Sequence, residues 1–274
     1  MSLSTVLILF LAHLGVGIVF TLVFVSREAG VKFFRFNAGL AAILLMTALA
    51  FRYGAPGPSD LAPTPLASAG LLALDIATGA IVIYWATIGR VFTKIRWLIV
   101  GTAVVAGIAA LTLDGLALSA GRPGLSQAMT VASFLTSAAL LGGACTAMIL
   151  GHWYLVLPSM DVAYLQSMVK WHMVSMVLRV VVVGAAIFIA IAAYQPGLGL
   201  MNFRRYIMSV EGIFFWQRVL FGLLGPAVLS YLTWETAKIR ATQSATGILY
   251  VDLFTVVVGE ILAKYILLAT HVPV

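Results

Sequence analysis

Asp75, Arg179, Arg218, Asp252, Glu260 and Lys264 all stand inside stretches of sequence otherwise apolar enough to cross a lipid bilayer. A charge at the centre of a membrane helix costs roughly 2.5–3.5 kcal/mol even on the lenient insertion scale. Each of these residues therefore needs a partner, a wet cavity or a ligand. His13, in LAHLGVG beside Gly15 and Gly17, joins them as a buried side chain that titrates near neutral pH. Imidazole and carboxylate are the groups that proton exchange requires, so His13, Asp75 and Glu260 are the candidate proton-exchanging residues.

Spacing suggests which groups meet. Glu260 and Lys264 are i,i+4, the order in which a carboxylate and an ammonium group share a helix face. Glu211 and Arg218 are seven apart, on one face two turns from each other, and can bind one third group; Arg218, Lys264 and Glu211 are the candidate binding residues. His172, Ser175 and Arg179 form an i, i+3, i+7 stripe. The structural alternative is that such pairs neutralise one another and fix helix register. Asp75 has no basic residue on its own helix and fits that alternative least well.

His152 and His172, in GHWYLVLP and KWHMVSMVLR, fall at similar depth at the ends of adjacent spans. Two such histidines can ligate one b-type haem, with Arg179 near a propionate. Equally, Trp153, Tyr154 and Trp171 around them read as an interfacial aromatic belt. Both readings stay open.

The elements that must position these groups are membrane helices. The chain is 62% hydrophobic and 9% charged over 274 residues, far fewer charges than the quarter found in soluble domains. A helix needs about 20 apolar residues to cross the hydrocarbon core. Eight such stretches lie at about 3–25, 37–53, 66–88, 97–118, 129–150, 172–194, 207–234 and 247–270. The expected fold is all-α, a polytopic helical bundle forming a single transmembrane domain over 1–274. The sixth helix is expected to begin before residue 172, because Asp161 to Lys170 continues with a polar face, and Pro226 predicts a kink in the seventh. The segment from Gly54 to Pro65 reads as a stiff loop. Ser2 to Val25 is a full-length span rather than a cleavable signal.

Loops one, three and seven carry Arg27, Lys32, Arg35, Arg90, Lys94, Arg96, Lys238 and Arg240. Loops two, four and six carry Arg52, Arg122, Arg204 and Arg205. The positive-inside rule puts the richer set in the cytoplasm, so both termini are expected to face outward from the inner membrane. Counted inward from these ends, His13, Asp75, Arg218, Glu260 and Lys264 fall in a middle-to-outer layer. His152, Lys170, His172, Arg179 and Asp252 fall in an inner one. The basic excess is thus an orientation signal, and nucleic acid is not an expected partner. One cysteine, Cys145, excludes an internal disulfide and iron–sulfur ligation by this chain. Phosphate-loop, nucleophile-elbow and HExxH motifs are absent.

FFWQRVLFGLLGPAVLSYLTW followed by FTVVVGEILAKYILLAT resembles the closing helices of the polysulfide reductase and dimethyl sulfoxide reductase membrane-anchor family. The resemblance rests on Gly222 with Pro226, then Gly259, Lys264 and Tyr265, and covers about 60 residues. It implies an eight-helix, quinol-interacting membrane subunit of a respiratory complex, with no bound haem in the typical member. On that reading His13 and Asp75 exchange protons with the quinone. Arg218 and Glu260 orient the ring or lead protons away, while Lys264 tunes Glu260, and electrons pass to an iron–sulfur or cytochrome c partner, the chain alone being no complete enzyme. A proton-coupled transporter using the same buried ions, and a structural or assembly subunit, are the alternatives.

Overall fold

A computed structural model describes residues 3–54, 64–90, 95–157, 160–192 and 202–274, which are helical apart from short turns and the last four residues, with no strand among them. Eight helices are long and apolar enough to span a membrane. They are α1 (Leu3–Thr21), α2 (Gly30–Gly54), α3 (Pro65–Thr87), α4 (Arg96–Leu118), α5 (Gly124–Val156), α6 (Val162–Ala192), α7 (Val210–Lys238) and α8 (Thr242–Thr270). The protein is therefore an integral, multi-pass helical bundle. Most of the stiff loop expected between Gly54 and Pro65 lies outside the described residues, as does Lys94.

Helices α2, α5 and α6 are longer than their apolar cores. Each is extended by a polar or basic turn that a hydropathy count assigns to a loop. At the start of α2, Arg35 turns back to donate to the carbonyl of Ile88, at the end of α3, so a charged side chain sits inside a helix by bonding a neighbour's free end. The expected early start of α6 is found at Val162.

The helices close into two rings of four. In the first, α1 packs on α2, α2 on α3, α3 on α4, and α4 returns to α1. In the second, α5 packs on α6, α6 on α7, α7 on α8, and α8 returns to α5. The rings join chiefly along α1 and α5. There a Cβ placed on Gly17 would lie 2.0 Å from the Ala138 carbonyl oxygen, and one on Gly142 would lie 2.1 Å from the Gly17 backbone. Backbones this close exclude side chains, which is how small residues bring membrane helices together. Thr21 and Thr146 seal the crossing with a 2.7 Å hydroxyl contact. Because successive spans reverse direction, Leu3, Gly54, Leu118, Ala192 and Thr270 all end on one side, here the terminal face.

Candidate functional site

The second ring and α1 enclose a buried charge cluster centred on Glu260. From α6, Arg179 donates through Nε to Oε1 at 2.9 Å and through Nη2 to Oε2 at 3.1 Å. From α7, Arg218 Nη2 donates to Oε1 at 2.7 Å. From α8 itself, Lys264 Nζ donates to Oε2 at 2.9 Å, the expected i,i+4 pair. From α5, the Ser137 hydroxyl donates to Oε2 at 2.5 Å and receives a bond from Lys264. Both carboxylate oxygens are saturated, and Arg179, Arg218, Glu260 and Lys264 are all buried. Glu260 lies ten residues from the end of α8, about 15 Å below the terminal face at 1.5 Å per residue.

Local sequence explains how α7 brings Arg218 there. Its helix runs Ile213–Val219, widens into a π-turn at Leu220–Leu224 and resumes at Gly225–Lys238. Pro226 lacks the N–H that would bond the carbonyl of Gly222, four residues earlier. Arg218 Nη1 takes that place, donating to the Gly222 oxygen at 2.7 Å. The kink expected at Pro226 is thus a π-turn whose freed carbonyl is answered by a buried guanidinium. Gly222 and Gly259 permit the approach, since a Cβ on Gly259 would fall 2.1 Å from the Gly222 Cα.

Arg179 corrects the depth sorting. Counted from a span starting at 172 it falls in the inner layer, yet it holds Glu260 of the outer one. The helix begins ten residues earlier, so Arg179 lies near the middle of a 31-residue rod. Its Nη1 also donates to the carbonyl and hydroxyl of Ser133, and its Nη2 to a main-chain oxygen of Val274. A small crevice passes Arg179 and Lys264, walled by Ser133, Phe134, Ala263, Leu267, Pro273 and Val274.

His13 belongs with this cluster. Its ring packs edge-on against Phe134 at 4.6 Å and lies within electrostatic reach of Lys264, Glu260 and Arg179. Nδ1 donates to the Leu9 carbonyl at 2.5 Å, which leaves Nε2 as a buried acceptor with no hydrogen-bond partner among the described residues.

Asp75 is elsewhere, so the two foremost sequence candidates are separated. It sits half-buried on α3 in the first ring, and the Tyr53 hydroxyl of α2 donates to its Oδ2 at 2.6 Å. Tyr53 itself is 64% exposed on the bundle surface. The tyrosine escaped sequence reading because it ends a span beside a loop. A second pair was missed beside it: Arg52 grips Asp114 of α4 with two bonds of 2.9 and 3.0 Å and donates to the Ala67 carbonyl.

The remaining candidates have their own partners. Glu211 is exposed in a 3-10 turn ahead of the α7 helix and does not converge with buried Arg218, contrary to the spacing argument. His172 is fully buried with Nε2 2.7 Å from Asp252 Oδ2, an ion-pair distance reached without the ring N–H aimed along it. His152 is exposed, its Nδ1 3.0 Å from the Tyr250 hydroxyl.

Compared with protein-family models, curated protein sequences and solved structures, the chain shows no significant match.

Proposed function

We propose that the chain is the membrane-embedded subunit of an electron-transfer complex, and that a lipid-dissolved quinol meets it at Asp75 and Tyr53. The observation that carries this reading is the Tyr53–Asp75 hydrogen bond on an exposed surface between α2 and α3. Quinol oxidation needs a proton acceptor, and quinone carbonyls need a donor. A carboxylate whose other oxygen accepts no hydrogen bond among the described residues, beside a phenol, supplies both, and an amphiphile reaches them sideways from the bilayer. The Glu260 carboxylate, in contrast, accepts five hydrogen bonds and has no lone pair to spare for a substrate.

In this mechanism one quinol hydroxyl gives its proton to Asp75, which acts as general base, and the other gives its proton to water at the terminal face, where α2 ends. Tyr53 first holds the carboxylate by donating to Oδ2; once Asp75 is protonated, the phenol O–H turns from it to donate to the ring oxygen. The electrons leave to a partner subunit carrying an iron–sulfur centre or a c-type cytochrome, since the single cysteine of this chain provides no such centre. The basic loops face the cytoplasm and both termini face outward, which puts the Glu260 cluster in the outer half of the inner membrane.

The test is quinol oxidation by the purified complex carrying Asp75→Asn, Tyr53→Phe or His13→Ala. Loss of a general base lowers turnover by about 10²-fold or more, so Asp75→Asn is expected to fall by that order and Tyr53→Phe by less. His13→Ala is expected to keep most of its turnover because His13 lies apart from the pair. Unchanged turnover in both Asp75→Asn and Tyr53→Phe sinks the proposal.

One observation favours a second reading, proton-coupled transport. The π-turn of α7 breaks a membrane helix next to buried charges, as substrate-binding helices of transporters do. Solute uptake into proteoliposomes driven by a pH gradient, absent in an Arg218→Gln variant, is the outcome that reading requires.

A further inference from the structure

Two ammonium groups share one indole where α6 and α7 meet, near the face opposite the termini. Lys170 Nζ of α6 lies 4.9 Å from the centre of the Trp234 ring, and Lys238 Nζ of α7 lies 5.2 Å from it. Both lysines are exposed. Gln166, one turn before Lys170, donates to the Ala237 carbonyl at 3.0 Å and sets the two helices in register at this level. Like charges gathered on one ring repel, and an anion beside them relieves the repulsion. Glu235, 2.6 Å from Lys238, answers one of the two. Among the described residues no carboxylate stands at ion-pair distance from Lys170.

This clamp lies at head-group depth. The 31 residues of α6 make a rod about 46 Å long against a hydrocarbon core of about 30 Å, so a centred helix extends about 8 Å beyond each edge. Lys170 stands about 12 Å from the start of the helix, which puts its backbone just inside the hydrocarbon edge. Helical side chains lean toward the N-terminus, here the near edge, and that carries the ammonium group out to the head groups. Toward the membrane middle both helices turn apolar. Steps of four, seven and eleven residues from Lys170 reach Val174, Val177 and Val181, all more than half exposed. One turn deeper than Trp234 on α7 is Tyr231, equally exposed, whose hydroxyl has no hydrogen-bond partner among the described residues. Positive charge at the edge, a hydroxyl one turn deeper and hydrocarbon beyond match the phosphate, ester and acyl groups of a phospholipid in order. A choline or ethanolamine head would bring a third cation to the ring, so the match is to a lipid of net negative charge. We propose that Lys170, Lys238 and Trp234 form a head-group site for one anionic phospholipid. Both ammonium groups hold its phosphate, the Tyr231 hydroxyl donates to an ester oxygen, and the acyl chains lie along the valine stripe of α6. The site is on the outside of the second ring and does not rest on the quinol reading at Asp75.

Thermal unfolding of the full chain in detergent micelles tests it, with phosphatidylglycerol added against the same amount of phosphatidylcholine. A ligand that binds only the folded state raises the melting temperature, so phosphatidylglycerol is expected to raise it by several degrees over phosphatidylcholine. The double variant Lys170→Gln with Lys238→Gln is expected to melt at one temperature in both lipids. Lys32→Gln with Arg90→Gln removes two exposed positive charges from the first ring and is expected to keep the difference. Should the Lys170 and Lys238 changes prevent folding, native mass spectrometry of the wild type released from bilayers of both lipids in equal parts decides. One retained phosphatidylglycerol is expected, and none overturns the proposal. Equal melting of the wild type in both lipids overturns it, as does a difference that survives loss of both clamp lysines or vanishes equally with Lys32 and Arg90. A rise given as fully by water-soluble glycerol phosphate would assign the clamp to a free phosphate. A second copy of the chain retained in place of lipid would assign the surface to a dimer, and either result overturns the proposal too.

Discussion

Arg179 and Glu260 meet through two near-parallel hydrogen bonds, 2.9 and 3.1 Å long, that tie α6 to α8 in the interior of the second ring. The first ring has a counterpart at the same helix positions: Arg52 on its second helix grips Asp114 on its fourth with two bonds, end-on through Nη1 and Nη2 where Arg179 binds side-on through Nε and Nη2. The two braces differ in depth. Asp114 lies four residues from the end of α4, near the terminal face, whereas Glu260 lies ten residues from the end of α8. Bidentate pairing fixes angle as well as distance, so each ring has its second and fourth helices set relative to one another.

The deeper brace is expected to be the more sensitive to loss of one partner. Removing one member of a buried pair costs about 3–5 kcal/mol, because the other charge stays buried and uncompensated. Glu260→Gln leaves Arg179, Arg218 and Lys264 facing one another and is expected to lie at or above that range. Chemical unfolding in detergent measures it. A loss below about 1 kcal/mol, the range of exposed ion pairs, would mean that water reaches the cluster.

The shallower brace allows a cleaner comparison. Arg52→Met alone is expected to cost about 3 kcal/mol or more, while Arg52→Met with Asp114→Leu together is expected to cost far less than the sum of the singles. Arg52 also donates to the Ala67 carbonyl, so the double variant still loses that bond. Additive single and double losses would show that the two side chains act independently.

The span count and the Glu260–Lys264 pair were legible in the sequence because each depends on local spacing: a run of apolar residues, or four residues along one face. Partners of Glu260 on other helices were not. Arg179 was assigned to the wrong layer because Lys170 and His172, at the polar start of α6, were counted as the edge of the membrane. Arg52 and Tyr53 stand at the end of their helix beside a proline-rich stretch, Arg52 counted with the loop and Tyr53 as the last residue of a span, yet both reach back into the first ring to carboxylates on α4 and α3. Long flexible side chains can move a charge several ångströms from its backbone, and helix counting cannot see this. The two-ring arrangement depends on which helices touch, and the chain carries no visible repeat that would disclose it.

At the joint between the rings, Gly17→Ala and Gly142→Ala are expected to destabilise by about 1–3 kcal/mol, the usual range for overpacking. The added methyl groups would lie 2.0 Å from the Ala138 oxygen and 2.1 Å from the Gly17 backbone. Gly79→Ala on α3 is the control, since a Cβ there meets nothing within 4 Å and alanine is the better helix former. Melting temperatures of the three variants order them directly. A Gly79→Ala loss as large as the other two would show that the cost is not specific to the joint.

Accessibility separates Asp75 from the three carboxylates buried within the spans. Glu260, Asp252 and Asp114 are at most 2% exposed, whereas Asp75 is only half-buried on the bundle surface beside exposed Tyr53. A membrane-soluble carbodiimide approaches from the lipid, so peptide mapping after treatment is expected to find the intramembrane adduct on Asp75 and little on the other three. Tyr53→Phe removes the hydroxyl that occupies Oδ2 and is expected to speed labelling of Asp75. Added quinol is expected to slow it, since substrate and reagent would compete for one carboxylate. Labelling of Asp75 that quinol leaves unchanged would keep the surface reachable from lipid while removing the quinol site from it, and labelling of Glu260 at a similar rate would show that the second ring opens to the bilayer.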